Sequence, residues 1–363
     1  MSMIIYSVGL DVDKISFKAC LKFKEEKKAS LIKATRTFSN SVQGFKEFHQ
    51  WLQKHNQPLQ ASLTITLEAT GVYHENLAWY LHSLNYVIHI VLPSRAKHYM
   101  KSLGLKSKND KIDASGLADM GLQQELTPWI PCSENIMALR GLTRQVEMFQ
   151  ESRTILINQL EAAQHQAFSD KLIIKNLKTH IHALERDIVK LKKRITEAIQ
   201  EDPVLASKYE LVKPLKGLGM LTFATLVAET GGFQLFKNQK QLTSYAGYDV
   251  IENQSGARVG KTRISKQGNT HIRRIMFMAS FNMVRFQVHP FLHLYQRVEE
   301  RTKIKMKGYV AVQRKLLCLT YTLWKKHVAF DPKYQLPKNK VAAAEAAATL
   351  DERPAKPEVL FEY

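Results

Sequence analysis

A long region of helical periodicity divides this 363-residue chain into two parts. Apolar residues recur every three or four positions from Asn135 to about Gln166 and again from Leu172 to Ile199. In the second stretch they keep a near-heptad register at Leu177, Ile181, Leu184, Ile188, Leu191 and Ile195. Such spacing puts the apolar side chains on one helix face, which must be buried against another helix. We therefore expect an antiparallel helical hairpin or a coiled coil over residues 131–205, which would separate the two ends of the chain and offer a surface for pairing two copies.

The residues before the helical region alternate between strand and helix patterns. Three strands are predicted as a meander at Met3–Leu10, Ser16–Phe23 and Ala29–Phe38. A helix, a strand, a helix and a strand follow at Val42–Lys54, Ala61–Leu67, His74–Leu84 and Val87–Val91, and further helical residues continue from Pro93 to Leu122 with an interruption at Lys106–Lys111. Strands that alternate with helices imply parallel pairing, with helices packed on the sheet. The pattern predicts an α/β domain over residues 1–130.

Four acidic residues of this domain stand where they could act together. Asp11 ends the first strand, Glu68 ends the fourth, and Asp110 and Asp113 have the spacing that shares one helix face. Carboxylates gathered at one sheet edge would repel one another unless a cation lay between them, and oxygen ligands of this kind suit Mg²⁺. Each acid also has an ordinary alternative, with Asp11 as a turn residue, Glu68 as a cap of the next helix and Asp110 as a helix N-cap.

The charge balance points to an anionic partner. The chain has 53 Lys and Arg residues against 33 Asp and Glu residues, which gives a net charge of +20, while its 45% apolar content is ordinary for a globular protein. Such an excess favours nucleic acid first and an anionic membrane surface second. No apolar run approaches the ~18 residues of a membrane span and the N-terminus lacks a signal-peptide pattern, so we expect a cytoplasmic protein without a membrane partner. Three widely spaced cysteines argue against a disulfide framework and a structural zinc site.

The part of the chain from residue 206 to 332 is predicted to be mostly helical. Before the apolar helix Met220–Thr230, the segment Pro214–Gly219 has the form of a helix-hairpin-helix, in which Gly217 and Gly219 would present backbone N–H groups beside Lys216 to a DNA phosphate. A plain turn between two helices is the alternative. Helices at Ile272–Val284 and Val310–Trp324 close the core, and the Ala-, Pro- and charge-rich residues 333–363 are expected to be disordered.

A basic run lies inside this last domain, from Ser255 to Arg274. It contains three glycines, no acidic residue and six basic residues, which are Arg258, Lys261, Arg263, Lys266, Arg273 and Arg274. Basic side chains neutralise phosphates and glycine allows the backbone to approach a polyanion closely, although a solvated loop would explain the charges alone. Ser255 precedes Gly256 at the start of the run, where a nucleophile would meet a neutralised phosphodiester. Ser265 lies in the same run, and a turn or N-cap role ahead of the next helix explains it without chemistry.

Taken together, the motifs resemble the DEDD-type transposases of insertion sequence family 110. The motifs that carry the resemblance stand in the family's order from residue 1 to about 330, as G-L-D-V-D-K, L-E-A-T-G, K-N-D-K-I-D-A, P-L-K-G-L-G, L-T-S-Y-A-G-Y, Q-S-G and I-S-K-Q-G-N-T-H-I-R-R. Many members have proline three residues after the glycine that corresponds to Gly247, and this chain departs from them with Val250.

The resemblance implies a fold and a mechanism. It implies a RuvC-like (RNase H-like) α/β N-terminal domain, a helical coiled-coil middle and a mostly α C-terminal transposase domain with a helix-hairpin-helix-like element. It maps an acidic, metal-binding tetrad onto Asp11, Glu68, Asp110 and Asp113, and the catalytic serine onto Ser255. Mg²⁺, or Mn²⁺ in its place, would position the scissile phosphate, and Ser255 would attack that phosphate to form a covalent phosphoserine link to DNA.

The resemblance also implies partners. These are donor and target DNA, a structured guide RNA that pairs with both, and further copies of the chain in a dimer or tetramer, because the acids and the serine lie in different domains. Two other readings of the residues stay open. One is a RuvC-like hydrolytic nuclease in which metal-activated water cuts DNA and Ser255 only binds phosphate, and the other is a non-enzymatic nucleic-acid-binding scaffold with structural carboxylates.

Overall fold

A computed structural model of the full chain divides into two compact units, Met1–Pro131 and Cys132–Tyr363. The structure describes residues 4–26, 28–55, 62–69, 71–104, 109–234, 236–252, 254–255, 258–260 and 262–331, and for residues 255, 258 and 259 it describes the backbone alone. Lys261 and the predicted disordered tail, 333–363, therefore lie outside the described residues. The division into four predicted segments stays a prediction.

The first unit is built on a five-stranded mixed sheet. Its strands are β1 (Ile4–Val12), β2 (Ser16–Glu25), β3 (Leu31–Ser39), β4 (Ser62–Glu68) and β5 (Val87–Val91). They lie side by side in the order β3-β2-β1-β4-β5. The first three strands pair antiparallel, and β4 and β5 run parallel to β1. The predicted meander and the parallel pairing after it are confirmed, and this order fits an RNase H-like domain.

Helices cover both faces of this sheet. They are α1 (Val42–His55), α2 (Glu75–Ser83), α3 (Pro93–Ser102) and α4 (Asp110–Gln123). Alternate residues of β1, such as Val8 and Leu10, are fully buried in an apolar core that also contains the buried residues of α1 and α2. The other face of β1 packs against α4, and the contact is close at Gly9. A Cβ at Gly9 would come within 1.9 Å of the Ala114 carbonyl oxygen, so only glycine lets α4 approach β1 this closely.

The second unit begins with two long helices, α5 (Glu134–His165) and α6 (Lys171–Gln200), which pack along each other. They run antiparallel, because Asn135 hydrogen-bonds Asp202 just beyond α6 while Arg153 pairs with Glu185 near mid-helix. The helical hairpin is therefore confirmed within the second unit. Supercoiling of the two helices stays a prediction.

The rest of the second unit is mostly helical. Its helices are α7 (Pro203–Val212), α8 (Met220–Thr230), α9 (Gln239–Tyr245), α10 (Thr270–Arg285), α11 (Phe291–Thr302) and α12 (Lys305–Lys326). The apolar helix α8 has the predicted bounds and is buried over nine consecutive residues, Thr222–Thr230, with α5, α6 and α10 packed around it. The helices α7, α9 and α11 were not predicted. The first and second offer few turns in which a period can show, whereas α11 carries apolar residues at the helical spacing of Phe291, Leu294, Tyr295 and Val298 and was missed despite this signal.

Four strands of two residues each separate α9 from α10. They are β6 (Val250–Ile251), β7 (Gln254–Ser255), β8 (Arg258–Val259) and β9 (Arg263–Ile264). The basic run is thus partly strand, which the sequence did not predict because two-residue strands carry no alternation to detect. No helix in the described part of the chain combines the length and the apolar content that a membrane span needs.

Candidate active site

Asp11 and Glu68 lie at the carboxyl ends of two neighbouring strands, at the edge of the sheet where these strands end. Their strands, β1 and β4, are parallel neighbours whose last paired residues are Leu10 and Leu67, so the two acids occupy the next position of each strand. Asp11 still pairs with Lys18 of β2, which makes it a strand residue rather than the turn residue considered as an alternative. Both acids are half-buried. The parallel register therefore places two of the four predicted carboxylates side by side.

Asp110 and Asp113 stand in the first turn of α4. The N-cap of this helix is Asn109, whose side chain accepts a hydrogen bond of 2.9 Å from the Ile112 N–H, so the alternative role of Asp110 as N-cap is wrong. Carboxylates in a first turn are stabilised by the helix dipole. The close contact of Gly9 with Ala114 brings this turn to β1, two residues before Asp11. Glu68 is not a helix cap either, because the N-cap position of α2 is His74.

The structure places Asp11 and Glu68 at the ends of neighbouring strands and Asp110 and Asp113 in the first turn of α4, and it does not assemble the four carboxylates into a metal centre. Across the described residues, no group of three or more His, Cys, Asp or Glu side chains is placed to hold a metal ion. Asp11, Glu68 and Asp113 each already interact with other groups of the protein. Carboxylate oxygens are nevertheless the ligands that divalent cations such as Mg²⁺ prefer.

Small polar side chains lie on the face of the sheet that packs against α4, where a Cβ at Gly121 of that helix would come within 2.3 Å of Ser7 Oγ and 2.5 Å of Thr66 Oγ1. The sequence analysis missed them. Ser7, Thr64 and Thr66 have buried hydroxyls with no hydrogen-bond partner in the described structure, as has Nδ1 of His89. Burial lowers the pKa of His89, so its imidazole favours the neutral form. The available signal was the alternation in β1 and β4, where small polar residues such as Ser7 and Thr66 alternate with core residues.

Ser255 lies in the second of two short antiparallel ladders between α9 and α10. We call residues 250–264 the serine arm. Val250 and Ile251 of β6 pair with Ile264 and Arg263 of β9, and further out Gln254 and Ser255 of β7 pair with Val259 and Arg258 of β8. Ser255 and Arg258 are the last paired positions before residues 256–257. The arm therefore carries the candidate nucleophile directly opposite a basic residue, and Val250 lies in a strand of that arm.

The stem of the arm is held closed by backbone contacts between the end of α9 and the start of α10. The Asn269 N–H donates to the Tyr245 carbonyl at 2.8 Å, and the Lys266 N–H donates to the Gly247 carbonyl at 3.1 Å. Gly268 fits between them, since a Cβ there would come within 2.4 Å of the Tyr245 oxygen. The arm thus leaves the helical core from a narrow, well-defined base.

Ser265 does not have the predicted N-cap role. The N-cap of α10 is Asn269, whose Oδ1 accepts from the Ile272 N–H at 3.0 Å. The Ser265 Oγ is buried and has no hydrogen-bond partner in the described structure. A hydroxyl in that position is shielded from a phosphodiester.

The basic residues of the run divide into two groups. Arg263 and Lys266 are exposed, and Arg258 is described by its backbone only. Arg273 instead donates to the Ala246 carbonyl at 2.8 Å and the Asn269 carbonyl at 3.2 Å, which fastens the stem. Arg274 pairs with Glu147 and Glu151 of α5. The sequence treated all of them as phosphate ligands, whereas the last two already have partners within the protein.

The two glycines of the predicted helix-hairpin-helix turn have different surroundings. A Cβ at Gly217 would lie 3.2 Å from the Ala279 carbonyl oxygen, so this residue backs onto α10. Gly219, the N-cap of α8, has open space around it and is exposed, as is Lys216. An anion could therefore reach the α8 N-terminus at Gly219 and Lys216.

Comparisons with known proteins cover nearly the whole chain. A family model described as a transposase, of the DEDD type in insertion sequence family 110, matches residues 8–169, and a model described as "Transposase IS116/IS110/IS902 family" matches residues 209–296. A pilin gene-inverting protein of Moraxella bovis is 31% identical over 327 residues, which are 89% of this chain and 97% of that protein. A probable family 20 transposase of Pseudomonas aeruginosa is 20% identical over 61% of this chain and 71% of its own length.

Among solved structures, Thermus thermophilus RuvC aligns over 34% of this chain and 100% of its own, with 11% identity and a TM-score of 0.27. A similarity that low supports no conclusion, and the family assignment rests on the sequence matches. Domains of the DEDD type generally depend on a divalent metal. On the two family models and the full-length relatives, this chain belongs to the DEDD-type transposases of insertion sequence family 110, enzymes that cleave and join DNA.

Proposed function

We propose that this transposase cuts and rejoins DNA through a covalent link between Ser255 and the strand end. The observation that carries the proposal is the serine arm, which holds Ser255 opposite Arg258 at the end of a paired ladder. Arg263, in the neighbouring ladder of β6 and β9, and Lys266, just beyond that ladder, are both exposed. A nucleophile on a projecting basic arm meets a phosphodiester whose charge is already partly neutralised.

The carboxylates of the first unit have the complementary role in this proposal. Asp11, Glu68, Asp110 and Asp113 would hold Mg²⁺, with Mn²⁺ as a substitute, and the bound cation would supply charge neutralisation at the scissile phosphate. The shared edge of β1, β4 and the first turn of α4 supports this assignment. The carboxylates and the serine must then act on one phosphodiester. They come either from the same copy of the chain or from two copies in a dimer or tetramer.

The chemistry balances as a transesterification. The Ser255 oxygen forms a bond to phosphorus as it loses its proton, and one phosphorus–oxygen bond of the DNA strand breaks to release a terminal hydroxyl. A hydroxyl of a second strand then attacks the phosphoserine, and Ser255 leaves with a proton restored. Because one phosphodiester is exchanged for another, no external energy source is needed.

The named relatives favour this chemistry over simple hydrolysis. The Moraxella bovis protein is named for inverting a pilin gene, and inversion requires that each cut end be joined to a new partner. A covalent phosphoserine keeps the bond energy needed for that joining, whereas water-mediated cleavage releases it. We therefore rank the hydrolytic nuclease, with Ser255 only binding phosphate, below strand exchange.

Two further partners belong to the proposal. The family resemblance implies a structured guide RNA that pairs with donor and target DNA, and a net charge of +20 is compatible with carrying RNA as well as DNA. The N-terminus of α8, with Gly219 and Lys216 exposed, is proposed to bind a DNA backbone phosphate in the manner of a helix-hairpin-helix. If the helical hairpin forms a coiled coil between copies, it would provide the oligomer.

Ser255→Ala tests the nucleophile, with Ser265→Ala as the matched control in the same run. Each protein is incubated with labelled donor and target DNA, guide RNA and Mg²⁺, and is then run on a denaturing gel. We expect the covalent adduct and the exchanged product in wild type and Ser265→Ala, and neither in Ser255→Ala, which should still bind DNA. An adduct that persists in Ser255→Ala would refute the assignment, and cleaved but unjoined DNA with no adduct in wild type would favour the hydrolytic nuclease.

A further inference from the structure

A stripe of charged side chains runs along one face of α5 and serves none of the roles described so far. Arg140, Arg144, Glu147 and Glu151 are spaced by four, three and four residues, which puts them on one side of a helix. That side packs towards α8, where Arg140 donates to the Ala228 carbonyl at 3.1 Å. The stripe therefore lies between the long hairpin and the helices that carry the serine arm.

Glu229, near the end of α8, is the partner of Arg144 in this stripe. Its side chain is 1% exposed, and it accepts hydrogen bonds from Arg144 Nε at 2.7 Å and Nη2 at 3.0 Å. A third bond of 2.7 Å comes from Asn269 Nδ2. Burial by itself would raise the pKa of Glu229, but the bonds from Arg144 and Asn269 outweigh it and hold the pKa below its ordinary value. Glu229 is thus a buried carboxylate held in its charged form.

Glu147, the next member of the stripe, lies about one turn after Arg144 on α5 and binds two residues of α10. It pairs with His271 Nδ1 at 2.5 Å and with Arg274 Nη1 at 2.5 Å, both in the first turns of α10. Arg274 also pairs with Glu151. Two carboxylates of the long helix α5, those of Glu147 and Glu151, therefore bind the beginning of α10.

Asn269 connects Glu229 and the start of α10 to the stem of the serine arm. Its side chain bonds Glu229 and caps α10, while its backbone N–H donates to the Tyr245 carbonyl that closes the stem. The Tyr245 hydroxyl in turn donates to the Glu229 carbonyl at 3.0 Å. We call Arg144, Glu147, Glu229, Asn269 and Arg274 the stem clamp.

We infer that Glu229 and Glu147 are positioning residues, which fix the base of the serine arm to α5 and so set the direction in which the arm presents Ser255. The catalytic importance of that direction rests on the function proposed above. The coupling of the arm to the long hairpin does not depend on it, since the clamp joins the two whatever Ser255 does.

Stability alone does not account for a charged clamp at this place. The core around α8 is already supplied by the apolar residues Phe223, Ala224 and Leu226–Ala228 of that helix, which are all 0% exposed. A buried ion pair costs several kcal/mol per ion in desolvation, and replacing one by well-packed apolar side chains is often neutral or stabilising. What charged, directional bonds add is a single orientation between the packed elements. The clamp supplies that orientation at the one place where the arm leaves the core.

Glu229→Gln and Glu147→Gln test the inference in the full-length protein. Each change keeps the side-chain volume and removes the charge. Glu210→Gln is the control, because Glu210 forms an exposed ion pair with Lys213 at 2.9 Å on α7, away from the clamp. Two readouts are compared with the melting temperature: amide hydrogen exchange over residues 259–273, and the rate of covalent adduct formation on DNA.

We expect the two clamp variants to fold, to bind DNA within about twofold of wild type, and to exchange the amides of Ser265, Lys266 and Asn269 at least ten times faster. Adduct formation should slow at least tenfold, with the control unchanged in both readouts. Folded clamp variants with wild-type exchange in the stem would overturn the inference, and Glu147→Gln decides alone if Glu229→Gln does not fold. If wild type forms no adduct, the proposed nucleophile fails, while the exchange readout still judges the clamp.

Discussion

Asp113 and Asp119 lie on the same helix, α4, and their surroundings give them different roles. Asp119 accepts hydrogen bonds from Lys22 at 2.6 Å and from Ser30 at 2.5 Å, which ties α4 to β2 and to the residue just before β3. Asp113 stands six residues earlier, in the first turn, at the sheet edge that also carries Asp11 and Glu68. One helix thus carries a structural carboxylate and a proposed metal ligand.

Asp113→Asn should abolish strand cleavage and retain DNA binding, because the change removes a ligand charge without removing any basic residue. The rise in melting temperature that Mg²⁺ causes in wild type should be lost in this variant, since a ligand stabilises only the state that binds it. Asp119→Asn is the matched control, expected to lower the melting temperature and keep the response to Mg²⁺. Normal cleavage by Asp113→Asn in Mg²⁺ would contradict its role as a ligand.

The candidate roles of individual residues were predictable from sequence where they depend on residues nearby in the chain. The pairing of Asp110 with Asp113 and the position of Ser255 ahead of a basic run follow from neighbours in the chain. The partners of Arg274 do not, because Glu147 lies 127 residues earlier, and the bond from Arg144 to Glu229 spans 85 residues. A positive charge in a basic run gives no sign that an acid on a distant helix already binds it.

At the scale of elements, the sequence predicted the helices and strands whose apolar pattern was clear. The two hairpin helices, α8 and the five strands of the first unit were found within a few residues, because each has enough turns or alternations to show its period. The serine arm was missed as structure, since its strands have two residues each and their register is set by the stem. The small polar side chains on the sheet face that packs against α4 were missed because the hydroxyls of β1 and β4 pattern like solvent-facing residues.

The contact between α4 and β1 gives a prediction about the element that carries two proposed ligands. Gly9→Ala would place a Cβ 1.9 Å from the Ala114 carbonyl and 2.4 Å from the Ala118 nitrogen, so α4 must shift. We expect a loss of roughly 2–4 kcal/mol in the free energy of unfolding, on the scale of overpacking a core or more, together with loss of the Mg²⁺ response. Chemical denaturation with and without Mg²⁺ measures both.

Gly141→Ala is the control for this prediction. Gly141 lies within α5 with no atom within 4 Å of an added Cβ, so alanine should stabilise the protein by about 0.5–1 kcal/mol through its higher helix propensity. Equal effects of the two substitutions would mean that the close approach of α4 to β1 does not matter.

For the whole molecule, the net charge of +20 overstates the surface open to a polyanion. Arg144 and Arg274 are paired with acids of the second unit, and Arg273 is hydrogen-bonded to backbone carbonyls at the stem. Arg263 and Lys266 remain exposed on the serine arm and just beyond it. Long-range attraction to DNA depends on all of these charges, whereas we expect direct phosphate contacts from Arg263 and Lys266.

The salt dependence of DNA binding should separate these two groups. Arg263→Ala and Lys266→Ala should each reduce the slope of log K against log salt by about one unit, since each removes a phosphate contact and its released counterion. Arg273→Ala should leave the slope unchanged and lower the melting temperature, because it loses bonds to two carbonyls at the stem. Titrations at several salt concentrations decide between them. A reduced slope in folded Arg273→Ala would show that this residue reaches phosphate after all.

The central claim is that Ser255 becomes covalently joined to DNA, and mapping the attached nucleotide tests it most directly. Wild-type adduct is trapped in Mg²⁺, its DNA is trimmed by nuclease, and the protein is cleaved with trypsin. Ser255 then lies on the peptide 241–258 and Ser265 on the peptide 264–266, by the positions of the Lys and Arg residues. We predict that the nucleotide phosphate is on peptide 241–258, with fragmentation placing it at Ser255 rather than Ser244. A nucleotide on any other residue, or DNA that is cut and rejoined with no modified peptide, would contradict the account.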